Sequence, residues 1–189
     1  MTRGNASRNV KSATLAATAQ RASRTLVLGA ARSGKSRYAE SLIAAEPPPW
    51  IYVATAQAGD PEMAQRIAKH RARRGSAWET VAEPNDLVAA LAAAARTAPV
   101  LIDCVTLWLS NRMLANADID SEISALEVAL DSRAGATVLV SNEVGAGIVP
   151  DNALARRFRD LQGMVNQRLA ARADRVVLVV AGLPLILKG

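Results

Sequence analysis

Short apolar runs alternate with longer stretches in which apolar residues recur at helical spacing, from about residue 24 onwards. The runs are rich in Val, Ile and Leu and have four to six residues, which is typical of buried strands. They cover residues 25–28, 51–55, 100–103, 137–141 and 175–180. Strands separated by helices predict βαβ units, and therefore a mostly parallel sheet with helices packed on both faces.

Six stretches between these runs are predicted to be helical. They cover residues 35–45, 60–73, 84–96, 106–114, 121–132 and 152–173. The second carries the clearest start signal, because Asp60 can cap free backbone N–H groups, Pro61 suits the first helical position and Glu62 complements the helix dipole. The prolines at positions 47–49 end the first helix, since proline lacks the N–H group that a helix needs.

Composition indicates one globular domain with its own core. The chain has 189 residues, of which 50% are hydrophobic and 21% charged. A single cysteine, Cys104, excludes an internal disulfide, and a single histidine, His70, leaves no His/Cys metal cluster. No apolar run approaches the ~20 residues of a membrane-spanning helix, so no membrane span is expected.

The net charge of +6 is concentrated near the N-terminus. The first 35 residues hold seven basic side chains and no acidic one, so the rest of the chain is close to neutral. Residues 1–23 are predicted to be a disordered tail, although their Arg- and Ser-rich composition also fits a transit peptide, and residues 24–189 form the body. A near-neutral body with only 3% aromatic residues disfavours nucleic acid as a partner. We expect a cytoplasmic protein.

The segment after the first predicted strand matches the pattern G-x-x-x-x-G-K-[ST]. Its residues are Gly29, Ala30, Ala31, Arg32, Ser33, Gly34, Lys35 and Ser36. A loop of this kind between a strand and a helix binds phosphate through its backbone N–H groups, and the helix dipole adds to the attraction. Lys35 is expected to reach the β- and γ-phosphates, and the Ser36 hydroxyl to bind Mg²⁺. The sequence therefore predicts binding of a nucleoside triphosphate.

Asp103 ends the third predicted strand. Ligands of parallel sheets gather at the carboxyl ends of the strands, so this carboxylate is expected to be the second protein contact of Mg²⁺. The loop, the strand pattern and this carboxylate together predict a P-loop NTPase of the RecA-like type, an α/β three-layer sandwich.

His70 lies among arginines on the second predicted helix. Arg66, Arg71, Arg73 and Arg74 surround it in the sequence, and their charges would lower the pKa of the imidazole and favour its neutral, nucleophilic form. The same cations suit a polyphosphate. Spacing alone equally fits a partly exposed histidine in a solvated basic stretch, so the residues by themselves leave both interpretations open.

The order of motifs resembles that of the bifunctional adenosylcobinamide kinases / adenosylcobinamide-phosphate guanylyltransferases. The phosphate loop is shared by many families, whereas the later motifs in this order are specific. They are the segments 37–40 and 52–56, the pattern Arg66-Ile67-x-x-His70, Arg74, Trp78-x-Thr80, Glu83, the segments 103–109 and 141–145, and the stretch from Ile148 to Gln167. The resemblance covers about residues 26–188 and leaves the N-terminal tail without a counterpart.

The resemblance implies two reactions of cobalamin biosynthesis. ATP or GTP phosphorylates the aminopropanol hydroxyl of adenosylcobinamide, and the product then accepts GMP from GTP to give adenosylcobinamide-GDP. In the family a histidine carries the GMP, and here only His70 is available. The implied partners are GTP, ATP, adenosylcobinamide and its phosphate, and the implied assembly is a homo-oligomer, typically a trimer.

The resemblance also extends the nucleotide-binding set beyond the phosphate loop. The added residues are Ala54, Thr55, Arg66, Arg71, Arg74, Glu83 and Glu143. Either glutamate could pair with the N–H donors of guanine, and Glu143 could instead orient a water on Mg²⁺; both also fit plain surface carboxylates at strand ends. Trp78 and Trp108 fit the core better than a corrinoid site.

Two rival functions remain open on the residues alone. One is another small-molecule P-loop kinase, which needs no histidine nucleophile. The other is a RecA-like NTPase motor or switch, which predicts stimulation by a polymer or a protein partner.

Overall fold

The computed structural model describes residues 23–189, apart from the side chain of Arg66. Of the predicted tail of residues 1–23, residues 1–22 lie outside the described residues. The strands are β1 (Arg24–Gly29), β2 (Trp50–Ala54), β3 (Trp78–Ala82), β4 (Val100–Asp103), β5 (Thr137–Asn142), β6 (Arg175–Val180) and β7 (Leu183–Lys188). The helices are α1 (Lys35–Ile43), α2 (Pro61–Ala72), α3 (Leu87–Ala93), α4 (Val105–Leu114), α5 (Ile119–Asp131) and α6 (Ala153–Arg172).

The strands form one sheet in the order β3-β2-β4-β5-β1-β6-β7. All neighbours are parallel except β6 and β7, which pair antiparallel. Side chains alternate between the two faces, as the pleat of a strand requires: Leu26 packs in one core cluster and Val27 in the other. Helix α1 covers one face, and α3, α5 and α6 cover the other. The predicted α/β three-layer sandwich with a mostly parallel sheet is confirmed.

Two strands of the sheet were not predicted from the sequence. Strand β3 has the alternating sequence Trp-Glu-Thr-Val-Ala, a pattern typical of a half-buried strand. Strand β7 follows a two-residue turn in which Ala181 and Gly182 have φ angles of 51° and 81°, the geometry of a tight hairpin. Pro184 is tolerated there because β7 is an edge strand.

The predicted helices are present, and α3 is shorter than expected. It begins at Leu87 because the Asp86 carboxylate accepts the Ala89 N–H at 2.8 Å and caps the helix there. The predicted cap of α2 is confirmed, since Asp60 accepts the Met63 N–H at 2.8 Å. Within residues 23–189, no helix is both long enough and apolar enough to cross a membrane.

The strand order places the segments that follow β1, β4 and β5 side by side. Strand β5 lies between β1, which leads into the phosphate loop, and β4, which ends at Asp103. Because all three strands are parallel, their carboxyl ends meet at one edge of the sheet. The candidate site lies at this edge.

Candidate functional site

The phosphate loop joins β1 to α1 as predicted. Arg32 and Gly34 adopt left-handed backbone conformations, with φ angles of 58° and 97°, and turn the chain sharply. The Ser33 N–H and the Lys35 ammonium both donate to the Ala30 carbonyl, at 3.2 and 3.1 Å. None of the described side chains caps the start of α1, so the N–H groups of its first turn are available as donors to an anion.

Two glycines allow the loop to pack closely against its neighbours. A Cβ atom on Gly29 would lie 2.4 Å from the Ser33 Oγ and 2.7 Å from the Val179 carbonyl oxygen. Gly34 needs its positive φ, and its Cβ would lie 3.2 Å from the Cα of Gly182. The Gly182 N–H donates to the Ser33 carbonyl at 2.8 Å. The turn between β6 and β7 therefore supports the loop from behind.

A cavity of about 500 Å³ lies between this loop and helix α2. Its lining is strongly basic, with Glu62 as the one carboxylate among the described lining residues. The basic residues are Arg32, Lys35, Arg37, Lys69 and Arg73. A site with this charge attracts a polyanion such as a triphosphate.

A second cavity of about 150 Å³ adjoins the first. The two share Lys35, Ser36 and His70. Polar side chains that line only the second cavity are Tyr52, Arg74, Asp103 and Asn142, the second of which was predicted to bind the nucleotide. The apolar lining residues include Ala54, Ala56, Met63, Ile67 and Leu107. This space suits a small group with a polar end rather than a second polyphosphate.

His70 lines both cavities from helix α2. Its Nδ1 atom lies 3.3 Å from the Arg73 Nη2 atom. A guanidinium group only donates, so this contact is a hydrogen bond in the neutral tautomer that carries its proton on Nε2 and a lone pair on Nδ1. A neutral imidazole beside the phosphate loop is chemically able to act as a nucleophile.

Asp103 is held by an aromatic hydroxyl. Tyr52 donates to the Asp103 Oδ2 atom at 3.0 Å, and the Arg74 guanidinium lies over the Tyr52 ring, 3.5 Å from its centroid. Burial, followed by the nearby Asp103 carboxylate, raises the pKa of Tyr52 well above its usual value, so the hydroxyl stays a donor. The carboxylate is therefore positioned before any ligand binds.

The Glu40 carboxylate lies 3.6 Å from the guanidinium of Arg73, one of the basic residues that line the larger cavity. Burial raises the pKa of Glu40, although Arg73 and Arg74 act in the opposite direction. The carboxylate is a weak partner at this distance, so Arg73 keeps most of its capacity to bind a phosphate.

The oxygen donors of the second cavity fit Mg²⁺. Ser36 supplies a hydroxyl and Asp103 a carboxylate whose orientation Tyr52 maintains, which are the hard oxygen ligands that Mg²⁺ prefers. Among the described residues there is no cluster of three His, Cys, Asp or Glu side chains that could hold a metal. The set therefore suits an ion that completes its shell with phosphate oxygens and water.

Several residues of the sequence-based set lie elsewhere. Thr55 is fully buried, and its hydroxyl bridges the backbone of Cys104 through two 2.8 Å hydrogen bonds. Glu83 accepts the N–H groups of residues 85 and 86 at 3.0 and 2.9 Å, and Glu143 accepts the Gly145 N–H at 2.5 Å. Arg71 is exposed and lines neither cavity. Arg66 lies on α2, and nothing is described of its side chain.

Lys69 lines the larger cavity, and Tyr52 and Asn142 line the smaller one, without having been predicted as site residues. Arg73, which the sequence named only among the basic neighbours of His70, also lines the larger cavity. Helical spacing favours it, because it is three residues beyond His70 at the end of α2. Asn142 carried the weaker signal of a polar residue at the end of an apolar strand. Trp108 and Cys104 are buried, as expected.

Comparison with known proteins identifies the family. Residues 25–187 match the model of the family described as cobinamide kinase / cobinamide phosphate guanyltransferase. The chain belongs to this family. Membership makes it a nucleotide-dependent transferase and decides against a nucleotide switch as its primary role.

Relatives in the family match over nearly their whole length. The bifunctional adenosylcobalamin biosynthesis protein CobP of Pseudomonas aeruginosa is 49% identical over 169 residues, covering 88% of this chain and 98% of the relative. The corresponding protein CobU of Salmonella typhimurium is 43% identical over 179 residues, covering 86% and 98%.

A solved structure of low sequence identity supports the fold. An ATPase from the type III secretion system of pathogenic bacteria superposes with a TM-score of 0.53 at 12% identity. The match covers 87% of this chain and 56% of the ATPase. At this identity the likeness concerns the P-loop fold alone.

Proposed function

We propose that this enzyme phosphorylates adenosylcobinamide with ATP or GTP and then transfers GMP from GTP to the product through a guanylylated His70. The observation that supports this most directly is that His70 and the phosphate-loop residues Lys35 and Ser36 line the same two cavities. A histidine in a P-loop kinase without a transferase step would need no place there. Family membership supplies the substrate class.

Covalent transfer divides one difficult displacement into two easier ones. In the first, a neutral imidazole nitrogen of His70 bonds to the α-phosphorus of GTP, the bond to the β-phosphate breaks and pyrophosphate leaves. In the second, a phosphate oxygen of adenosylcobinamide phosphate bonds to the same phosphorus and the N–P bond breaks, which returns the lone pair to the ring. The basic side chains around the larger cavity would offset the negative charge of the triphosphate and of the departing pyrophosphate.

The chain's residues also provide for the kinase step. The loop N–H groups and Lys35 are placed to hold the phosphates, and Ser36 and Asp103 are the residues that would hold Mg²⁺. When bound, the ion would neutralise charge on the phosphate oxygens.

Labelling with α-³²P-GTP tests the transferase proposal. We expect denatured wild-type protein to retain label that is lost in acid and stable in alkali, as a phosphoramidate is. His70→Ala should retain none, and its guanylyltransferase rate should fall by at least about 10³-fold because the nucleophile is removed. Label from γ-³²P-GTP serves as the matched control and should not be retained.

The outcomes separate the rival functions. Undiminished labelling of His70→Ala would overturn the role of His70. Phosphorylation of adenosylcobinamide without any retained α-label would leave a kinase alone.

The assembly and the location of the enzyme are further parts of the proposal. Edge strand β7 exposes Leu183, Leu185, Ile186 and Leu187, with 51–72% of each residue accessible. Exposed apolar residues on a sheet edge favour association, in line with the homo-oligomer, and specifically the trimer, expected from the family resemblance. Light scattering of the purified chain measures this directly, and fractionation of cells tests the expected cytoplasmic location.

A further inference from the structure

We propose that Arg73 controls when His70 becomes a nucleophile. Its guanidinium covers the lone pair of the imidazole until a bound polyphosphate draws the guanidinium away. Arg73 is thereby a positioning residue of the guanylyl-transfer step. The inference rests on the proposed function, in which His70 carries GMP, and it adds a link between nucleotide binding and exposure of the nucleophile.

The contact between the two side chains lies at the surface of the larger cavity. His70 is in the last turn of α2 and Arg73 is the residue that ends the helix, so the two are three residues apart on one face. The Arg73 Nη2 atom lies 3.3 Å from the His70 Nδ1 atom. Both residues line the cavity, and 42% of the Arg73 side chain is accessible. A ligand in the cavity can therefore reach the guanidinium.

Glu40 keeps the guanidinium near the ring without fixing it there. The Arg73 nitrogen that contacts His70, Nη2, also lies 3.6 Å from the Glu40 Oε1 atom. Glu40 stands on α1, five residues after Lys35 of the phosphate loop. A separation of 3.6 Å is longer than a charge-assisted hydrogen bond, so the attraction is weak. Arg73 is therefore held at His70 but remains able to turn to a stronger partner.

The contact occupies the atom on which nucleophilic attack depends. A neutral imidazole has one basic lone pair, on the nitrogen without a proton, and a guanidinium pairs with that nitrogen because it only donates. Attack through Nδ1 needs this lone pair to be free. Attack through Nε2 needs the Nε2 proton to leave and another to bind at Nδ1, where Arg73 donates. Both routes require Arg73 to move away first.

A polyphosphate supplies the stronger partner. The larger cavity is lined by five basic side chains and by one carboxylate among the described residues, so it attracts a polyanion. A phosphate group carries the opposite charge and accepts two N–H groups of one guanidinium, whereas the neutral ring accepts one. Arg73 therefore exchanges His70 for the phosphates. The exchange makes the lone pair available when the group that it must attack is bound.

The single histidine of the chain makes the contact measurable in the full-length enzyme. Labelling with ¹⁵N-histidine, in protein without a histidine tag, gives one pair of ring-nitrogen NMR signals, recorded at about pH 8.5, where an ordinary imidazole is neutral. We expect the wild type to carry its proton on Nε2 and to show a hydrogen-bonded Nδ1. In Arg73→Ala the Nδ1 signal should lose this hydrogen-bond shift. Inorganic tripolyphosphate should move the wild-type signal in the same direction.

Arg71→Ala is the matched control. It removes the same charge from the same part of the chain, but Arg71 is exposed and lines neither cavity. Its ring-nitrogen signals should match those of the wild type, with and without tripolyphosphate. Equal changes in the two variants would arise from the loss of charge alone and would overturn the proposal.

Reaction with diethyl pyrocarbonate measures the availability of the lone pair. A ring nitrogen bonds to a carbonyl carbon of the reagent, and ethanol and carbon dioxide are released. We expect His70 to react about 5- to 10-fold faster in Arg73→Ala than in the wild type, which is the value of one hydrogen bond. The rate in Arg71→Ala should stay within about twofold of the wild type, since its substitution leaves the contact intact.

Two results would overturn the proposal while leaving the proposed function intact, provided that His70 still retains the α-label of GTP. They are an unchanged Nδ1 signal in Arg73→Ala, and an unchanged wild-type signal when calorimetry shows that tripolyphosphate is bound. Absence of tripolyphosphate binding would contradict both the exchange and the phosphate site. If His70 is never labelled, the proposed function fails, and the control of its nucleophile fails with it.

Discussion

Basic side chains occur in two contrasting surroundings in this protein. On helix α6, Arg168 donates to both carboxylate oxygens of Glu127, at 2.8 and 2.9 Å, and Arg172 lies 2.7 Å from Asp131. Around the larger cavity at the phosphate loop, five basic side chains share the lining with one carboxylate among the described residues, Glu62. The first set is neutralised within the protein, whereas the second has an excess of positive charge.

The difference shows how the same residue type serves two purposes. Arg168 lowers the pKa of Glu127 chiefly through its hydrogen bonds, so each group stabilises the charged form of the other and both belong to the fold. At the phosphate loop the balance of charge must come from a ligand. Charge that is not compensated within a structured cavity is therefore better evidence for a polyanion site than the number of basic residues in the sequence.

Lys35 should show the largest effect among the residues that hold the phosphates. We expect Lys35→Ala to lower both the kinase and the guanylyltransferase rates by about 10²–10³-fold, because one aimed donor to the phosphates is lost. Lys188→Ala is the matched control, since Lys188 donates to the carbonyls of Ala170 and Ala171 at the end of α6. Steady-state rates of both half-reactions measure the effect. Retention of more than a tenth of the wild-type rates by Lys35→Ala would contradict the role given to this lysine.

Replacing one arginine at the phosphate loop and one on helix α6 by alanine tests the comparison directly. Arg73→Ala should weaken binding of a GTP analogue by about tenfold with little change in stability, because its charge faces the ligand. Arg168→Ala should lower the free energy of unfolding by about 1–2 kcal/mol, because the buried Glu127 loses its partner, and should leave nucleotide affinity unchanged.

Calorimetric titration and urea unfolding of the two variants measure these effects. High salt should weaken nucleotide binding, because it screens the charges at the open cavity. The comparison would be wrong if both substitutions weakened nucleotide binding equally and lowered the free energy of unfolding equally.

Two glutamates should respond to pH in opposite directions. The pKa of Glu127 lies below its ordinary value of 4.5, so its stabilising contribution is present above that pH and is lost as the pH falls through the folded-state pKa. The pKa of Glu40 is raised, mainly by burial, so its contribution is present below 4.5 and is lost as the pH rises through the folded-state pKa.

Glutamine variants of both residues make this measurable. At pH 7 we expect Glu127→Gln to reduce the free energy of unfolding by about 1 kcal/mol, a difference that shrinks towards pH 3. Glu40→Gln should instead be neutral or stabilising by up to about 1 kcal/mol at pH 7, since it removes a charge that burial disfavours. Urea unfolding at both pH values provides the measurement. If both variants reduced the free energy of unfolding at pH 7, the opposite pH responses proposed for the two glutamates would be contradicted.

The sequence predicted those features whose residues lie next to one another in the chain. The phosphate loop was predicted because eight neighbouring residues and the adjoining strand and helix carry the whole signal. The cap of α2 was predicted for the same reason, since Asp60 acts on a residue three positions away. Strand β7 was missed because its residues are all exposed and its position depends on pairing with β6.

The amino-acid sequence by itself determined the alternation of strands and helices, the phosphate loop and the family to which the chain belongs, because these depend on spacing along the chain. Tertiary structure alone decided which side chains face the loop. It brought Asn142 between the phosphate loop and Asp103, placed Arg73 rather than Arg71 in the lining of the larger cavity, and engaged Thr55 with the backbone of Cys104. The physical reason is that strand order and helix rotation are set by burial of the whole core, which no short stretch of sequence contains.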